Sequence, residues 1–406
     1  MFPLKKLLFC TFTAIGLFSF CGCQSPNLNI KAEEESTITP IQPSPTITST
    51  PTPTPTVTPT PIHPAEYLWL HPLSTTTPTP TCTPTPIVTK LTFSFAGDVT
   101  LGSDLINQNS VRNFYTVYDK VQDDAYFFAN VLPYFSTDDL TLINLEGVLS
   151  SGGTRQDKTY AFRGDPSYVN ILTLGCVEAV SLANNHSFDY GTQSHYDTRE
   201  ILTKANILYS YDDIVSYTTI KDKKVALISI YAYRNGLEGS KKLLDNTIAQ
   251  AKAEKADLII TSFHWGVERS ATITSDQQKL AYYAIDNGSN LVLGHHPHVL
   301  QPMERYKDSY IVYSLGNFCF GGNTNPKDKD TIIFRQTFTF IDGILTPDNQ
   351  VEVIPCSVSS VTDHNNYQPT PQTGEEAKRI MEKLNGYCDA YDLRFIEQTD
   401  GVYIPE

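Results

Sequence analysis

Three short segments far apart in the chain carry side chains that together could hold a metal ion: Asn184-Asn185-His186, Phe263-His264-Trp265 and Gly294-His295-His296-Pro297-His298. They contain five of the nine histidines, and each follows an apolar, β-rich stretch. In an open α/β sheet, ligands bind in the crevice at the carboxyl ends of the strands, so imidazoles just past several strands can converge there. Two carboxylates stand in comparable places. Gly97-Asp98 ends one apolar run and Asn144-Leu145-Glu146-Gly147 the next, and a neighbouring Gly lets the backbone turn sharply towards a cation. Asp98, Glu146, Asn185, His264, His296 and His298 thus make a mixed oxygen and nitrogen donor set. Such a set suits Zn, Mn, Fe or Ni, and a bridging carboxylate suits two ions about 3.5 to 4 Å apart. Two ions of this kind activate water near neutral pH and clamp the attacking and leaving oxygens of a phosphoryl group. A single histidine is more often a hydrogen-bonded structural residue, so the set rather than any member carries this reading. His295 is left out of it, on the ground that its imidazole can point away while its neighbours bind, and His195 is expected on the surface of a helix.

The elements that must position these residues show in the hydrophobic pattern. Strands are expected at Leu91 to Phe95, Leu140 to Asn144, Ala179 to Leu182, Val225 to Ile230, Leu258 to Phe263, Leu291 to Leu293, Tyr310 to Ser314, Ile332 to Ile341 and Val351 to Ser357. Helices are expected at Ser194 to Lys204, Lys241 to Glu254, Ser275 to Asn287 and Gly374 to Tyr387. Alternating β and α followed by a run of strands implies two sheets packed face to face with helices outside, a mixed α/β sandwich.

What precedes this domain is of another kind. Lys5 and Lys6 lead an apolar run, Leu7 to Phe20, too short to span a bilayer comfortably and suited to a signal peptide. Gly22-Cys23 follows and looks like a bacterial lipobox, with Cys23 as the lipidated residue, so 1–23 is expected to be a lipoprotein signal. Residues 24–90 are Thr/Pro-rich, with 14 of the 26 prolines between Pro40 and Pro86. Such a segment cannot form a packed core and is expected to be an extended, solvated stalk. The protein is therefore placed outside the cytoplasm and anchored to the membrane through an N-terminal lipid, with one large domain at 91–406.

Three basic and four acidic residues precede Lys90, which leaves 27 Lys and Arg against 40 Asp and Glu, a balance of −13. That argues against a nucleic-acid partner. The domain cysteines, Cys176, Cys319, Cys356 and Cys388, include no CxxC pair and specify no disulfide connectivity. Arg155, Lys158 and Arg163 cluster in an otherwise acidic domain and could grip a phosphate or the carboxylates of an anionic polymer.

The order Gly97-Asp98, Asn144-Leu145-Glu146, Asn184-Asn185-His186, His264-Trp265-Gly266, Gly294-His295-His296-Pro297-His298 and Ser314-Leu315-Gly316-Asn317-Phe318 resembles the CapA (poly-γ-glutamate) capsule-synthesis family, which is similar in fold to the calcineurin-like metallophosphoesterases. The likeness runs from about Phe93 to Phe320. It implies a four-layer α/β/β/α metallophosphoesterase-like sandwich and one or two divalent transition metal ions (Mn, Zn or Fe). By position, Asp98 would bind one ion, Glu146 would bridge, Asn185, His264 and His296 would complete the second ion's shell, and His298 would return to the first. His186 falls where metallophosphoesterases place a proton donor, and Asp189 could orient its imidazole. Two departures stand out: Asp98-Val99-Thr100 where those enzymes carry Asp-x-His, and Glu146 where they usually carry Asp. The resemblance implies a role in synthesis, transfer or export of an anionic capsular polymer, beside membrane-bound capsule-synthesis proteins. An active metal-dependent phosphoesterase and a non-catalytic polymer-binding scaffold are the alternatives.

Overall fold

The computed structural model describes residues 85–107, 109–347 and 350–406. The expected signal peptide, the candidate lipidation site Cys23 and the stalk up to residue 84 lie outside the described residues. The strands that matter here are β1 (Val88–Thr100), β2 (Leu140–Leu145), β3 (Ala179–Ser181), β4 (Leu208–Ser210), β5 (Ser216–Ile220), β6 (Lys223–Ile230), β7 (Leu258–His264), β8 (Leu291–His295), β9 (Met303–Tyr306), β10 (Ser309–Val312), β11 (Asn317–Phe320), β12 (Asp330–Ile341), β13 (Gln350–Ser357), β14 (Phe395–Thr399) and β15 (Val402–Pro405). The longer helices are α1 (Phe114–Val121), α2 (Gly191–Lys204), α3 (Ala232–Ala253), α4 (Ser275–Asp286) and α5 (Gly374–Cys388).

The first sheet runs β14-β15-β13-β12-β1-β2-β3-β4 and the second β9-β10-β8-β7-β6-β5. Within them β1 to β4 are mutually parallel, as are β6, β7, β8 and β10. Side chains alternate across a strand, and that alternation builds the layers. Phe93, Phe95, Leu140 and Leu142 of the first sheet share one buried cluster with Val225, Leu227, Leu258, Ile260, Leu291 and Leu293 of the second. The opposite face of the first sheet, through Ile143 and Val180, packs on Phe114 of α1 and Leu202 of α2. The opposite face of the second, through Ile228, Ile259 and Val292, packs on Leu244 and Ile248 of α3 and Leu280 and Ala284 of α4. Helix, sheet, sheet and helix therefore stack in the four layers expected.

Helix α4 starts at a capping box between Thr274 and Gln277, which satisfies backbone donors otherwise orphaned at a helix start. Among the described residues no helix is long and apolar enough to cross a membrane. The cysteines Cys176, Cys319, Cys356 and Cys388 are free thiols.

Candidate metal centre

Both parallel strand sets end at one polar cluster. From the first sheet come Asp98 near the end of β1, Asn144 near the end of β2, Glu146 just beyond it and Asn184 to His186 after β3. The second sheet supplies His264 and His295, the last residues of β7 and β8 and each other's register partners. His296 and His298 follow, with φ of 98° and 59°, a region few residues other than Gly adopt and one that gathers at ligand sites.

Strand parity aims these groups. Leu291 and Leu293 face the layer between the sheets, so His295, two further on, faces it too, and Leu258 and Ile260 set the same parity for His264. On β1 the parity changes: Ala96 and Val99 both pack on the outer face, and the register with β2 shifts between Phe95 and Asp98. Such an irregularity re-aims a side chain, and it turns Asp98 towards the histidines. The backbones crowd at this point, since a Cβ on Gly97 would stand 2.0 Å from the Gly316 carbonyl oxygen.

Asp98 is fully buried. Its Oδ1 accepts from Asn144 Nδ2 at 2.8 Å, and its Oδ2 lies 3.1 Å from His298 Nδ1. Burial opposes its ionisation, but His295 and His298 outweigh burial and hold its carboxyl well below the usual range. Glu146 is the contrary case. It is fully buried, and neither carboxylate oxygen accepts a hydrogen bond. Burial, with repulsion from Asp98, Asp189 and Glu268 added, raises its pKa well above normal against the attraction of His298. Three imidazole nitrogens approach Glu146 Oε1, His186 Nε2 at 3.7 Å, His298 Nε2 at 3.8 Å and His264 Nε2 at 3.9 Å, all beyond hydrogen-bonding distance.

Burial and neighbouring imidazoles hold His264 and His296 neutral, His296 at about 4. Burial works against charge on His298 as well, but Glu146 and Asp98 prevail and raise it to about 9. Neutral imidazoles are the form that binds metals. The donor atoms of Glu146, His264 and His296 lie within 4.8 Å of one another, as do those of Asp98, Glu146 and His298, and those of Glu268, His296 and His298. A buried carboxylate without hydrogen bonds is unfavourable unless a cation meets it, so the donors present fit a metal ion. Asn185 joins them, its Oδ1 2.7 Å from His264 Nε2.

His186 borders the cluster. Its Nδ1 lies 2.6 Å from Asp189 Oδ2, and Asp189 Oδ1 accepts from Lys158 Nζ at 2.7 Å. Lys158 also donates to the Asn185 carbonyl oxygen at 2.9 Å, so this ammonium is tied into the support of His186. The other two basic candidates lie apart from the donor set. Arg155 grips Asp104 with two bonds, Nε to Oδ1 at 2.9 Å and Nη2 to Oδ2 at 2.6 Å. Arg163 donates to the Gly152 carbonyl oxygen and stacks over Tyr190 at 4.5 Å.

Several participants escape the motif reading. Asn144 binds Asp98 and, through Asn184, fixes the loop that carries His186. Asn317 opens β11 and places its Oδ1 3.0 Å from His298 Nδ1. His295 is buried against Asp98 at 3.4 Å, and the two-residue period of β8 was the signal for it. His195, expected at the surface, is instead 4% exposed, because its ring stacks on Phe188 at 4.2 Å and packs against Tyr211. A cleft of about 870 Å³ lined by Asp328, Asp330, Arg379 and Lys383 lies outside the donor set, and those four residues pair with one another.

The family model described as Bacterial capsule synthesis protein PGA_cap matches residues 92–322, a span that holds every candidate ligand. The capsule biosynthesis protein CapA of Bacillus anthracis is 29% identical over 304 residues, 68% of this chain and 71% of that protein. The PGA biosynthesis protein CapA of Bacillus subtilis (strain 168) is 28% identical over 267 residues, 60% and 67% of the two chains. A probable polyglutamine synthesis accessory protein of Mycobacterium tuberculosis is 28% identical over 299 residues, 65% and 76%. Among solved structures, TT1561 of Thermus thermophilus aligns with a TM-score of 0.38 at 10% identity, over 60% of this chain and 94% of its own. A purple acid phosphatase from yellow lupin seeds aligns at 0.34 and 10%, over 70% and 53%. Neither distant alignment bears on the chemistry of this site.

Proposed function

This chain belongs to the PGA_cap family of bacterial capsule synthesis proteins, and from that premise we propose that it acts in the synthesis, transfer or export of an anionic capsular polymer of the poly-γ-glutamate type through a metal-holding site. The observation that carries the reading is Glu146, buried with both oxygens unbonded and ringed by imidazoles of His186, His264 and His298, inside the matched span. Glu146, His264, His296 and Asn185 would hold one divalent ion (Mn, Zn or Fe), and Asp98, Glu146 and His298 a second. A bound ion supplies Lewis acidity at an anionic substrate. His186, steadied by Asp189 and Lys158, would hold or give up a proton at Nε2. The name of the Bacillus subtilis relative, a PGA biosynthesis protein, supports the polymer. Attachment through a lipid on Cys23, a Thr/Pro stalk that was expected over 24–90 but gives way to the fold where β1 begins at Val88, and membrane-bound synthesis partners complete the reading.

The test is surface polymer in a poly-γ-glutamate-producing cell that depends on this protein. Loss of polymer in the His264→Ala, His296→Ala double variant, present at wild-type level, is expected. Undiminished polymer in that variant would remove the metal site from the function. The His186–Asp189 pair beside the cluster favours a second reading, a metal-dependent phosphoesterase. Hydrolysis of a generic phosphodiester that stops on chelation and in His186→Ala would favour it, whereas polymer binding that survives chelation and His264→Ala would make the domain a scaffold.

A further inference from the structure

We propose that a cleft beside the donor set, between the first turns of α3 and α4, binds a primary ammonium group and so receives the free amino end of a γ-linked glutamate polymer; this rests on the polymer reading above and needs no bound ion. The cleft holds about 190 Å³, small beside the roughly 300–1,000 Å³ of sites for drug-sized ligands, so it takes the end of a substrate rather than its length. Two of its walls adjoin the histidines. Tyr233 lines it and sets its ring 5.0 Å from that of His296, and Trp265, which follows His264 in the chain, lines it as well. Helix α3 breaks its helical course at Gly236 (φ 65°, ψ −179°), where a Cβ would meet nothing within 4 Å beyond its own stretch of helix, and that break leaves the space open.

The lining decides the charge of the guest. Leu237 and Leu280 are apolar, and Asp276 is the charged residue among those that line the cleft. Its pair with Lys279, at 3.7 Å, is more than half exposed on both sides and therefore weak, so the carboxylate stays available. An anion finds no counterpart here. The capping box engages the Gln277 amide with Thr274, and Asp276 already occupies the first turn of α4, where the helix would otherwise favour a bound anion. An ammonium group finds two counterparts, a carboxylate for charge-assisted hydrogen bonds and an aromatic face that attracts a cation within about 6 Å. Tyr233 is 64% exposed, and Arg234, next in the chain, is held instead by Asp212 and the Tyr211 hydroxyl. Glu268 adds negative charge close by, its carboxylate within 4.8 Å of ring nitrogens of His296 and His298. A γ-linked glutamate chain is anionic along its length and carries a single ammonium, at its amino end. The cleft would therefore fix the direction in which the chain lies across the donor set.

The test is calorimetric titration of the purified full chain with γ-glutamylglutamate and with its N-acetyl derivative, which lacks the ammonium, in chelator and again with added Mn or Zn. Wild type, Asp276→Asn and Tyr233→Leu are compared, each checked for folding by circular dichroism. Wild type is expected to prefer the free amine by about tenfold in both conditions, and each variant to lose most of that preference. Equal affinity for the two probes, or binding of neither, would overturn the assignment. So would a preference that survives undiminished in both variants, which would move the amine elsewhere, or one seen only with added metal, which would place the amine on an ion. The polymer reading fails separately, by undiminished surface polymer in the His264→Ala, His296→Ala cells, so the two failures are told apart.

Discussion

Glu146 shows at the level of one residue how function and stability part company. Its buried, unbonded carboxyl burdens the metal-free fold, and Gln in its place keeps the shape while removing the ionisable group. Glu146→Gln is expected to make the metal-free protein as stable as wild type or more so, by up to about 1–4 kcal/mol. The same change should abolish stabilisation by added Mn or Zn, and thermal denaturation with and without chelator checks both halves. His195 gives a pH signature remote from the cluster. Burial first, and Arg199 second, depress it from 6.5 to about 4. The unfolded chain therefore binds a proton between those values that the folded chain does not, so stability is full above about 6.5 and falls as pH drops towards 4. Each pH unit of that separation is worth about 1.4 kcal/mol, and urea titrations should show the slope flattened in His195→Phe. Residue types in ordered motifs made Asp98, Glu146, His264, His296 and His298 legible in the sequence. The two-residue period of β8 also carried the facing of His295, whereas the burial of His195 was not legible, since it depends on the rings that cover it.

At the scale of elements, the long apolar runs were readable because both their faces are buried, as with Leu140–Leu145, where every residue is buried. Asn317–Phe320 is a strand only because Asp98 pairs with Asn317 and Thr100 with Phe320, a tertiary fact that no local pattern announces. Helix α1 escaped for a related reason: Phe114 owes its place to the rings of Phe127, Tyr168 and Tyr367 around it. The crossing of β1 with the segment before β11 yields the sharpest prediction. A methyl at Gly97 would meet backbone, which cannot step aside as a flexible side chain would. Gly97→Ala should destabilise the domain by roughly 2–3 kcal/mol and displace Asp98. Its metal affinity should therefore fall with its melting temperature, in contrast to Glu146→Gln.

For the whole molecule, the start of the folded part matters. Strand β1 begins at Val88, and Val88, Thr89 and Lys90 pair with Ile341, Phe340 and Thr339. A fragment beginning at Leu91 discards three cross-strand pairs, each worth a few tenths to about 1 kcal/mol. It should unfold at lower denaturant than one beginning at residue 85, by about 1–2 kcal/mol.

The polar cluster draws Asp98 and Glu146 from one sheet and His264, His295 and His296 from the other, and it closes the open end of the apolar layer between them. An ion seated there would act as a clasp across a book whose pages are the two sheets. Without it the strand ends would be free to part locally; with it, opening either sheet would break bonds to both. Amide hydrogen exchange at the ends of β1, β2, β7 and β8 should therefore slow together when metal is added, and the other ends of those strands should hardly respond.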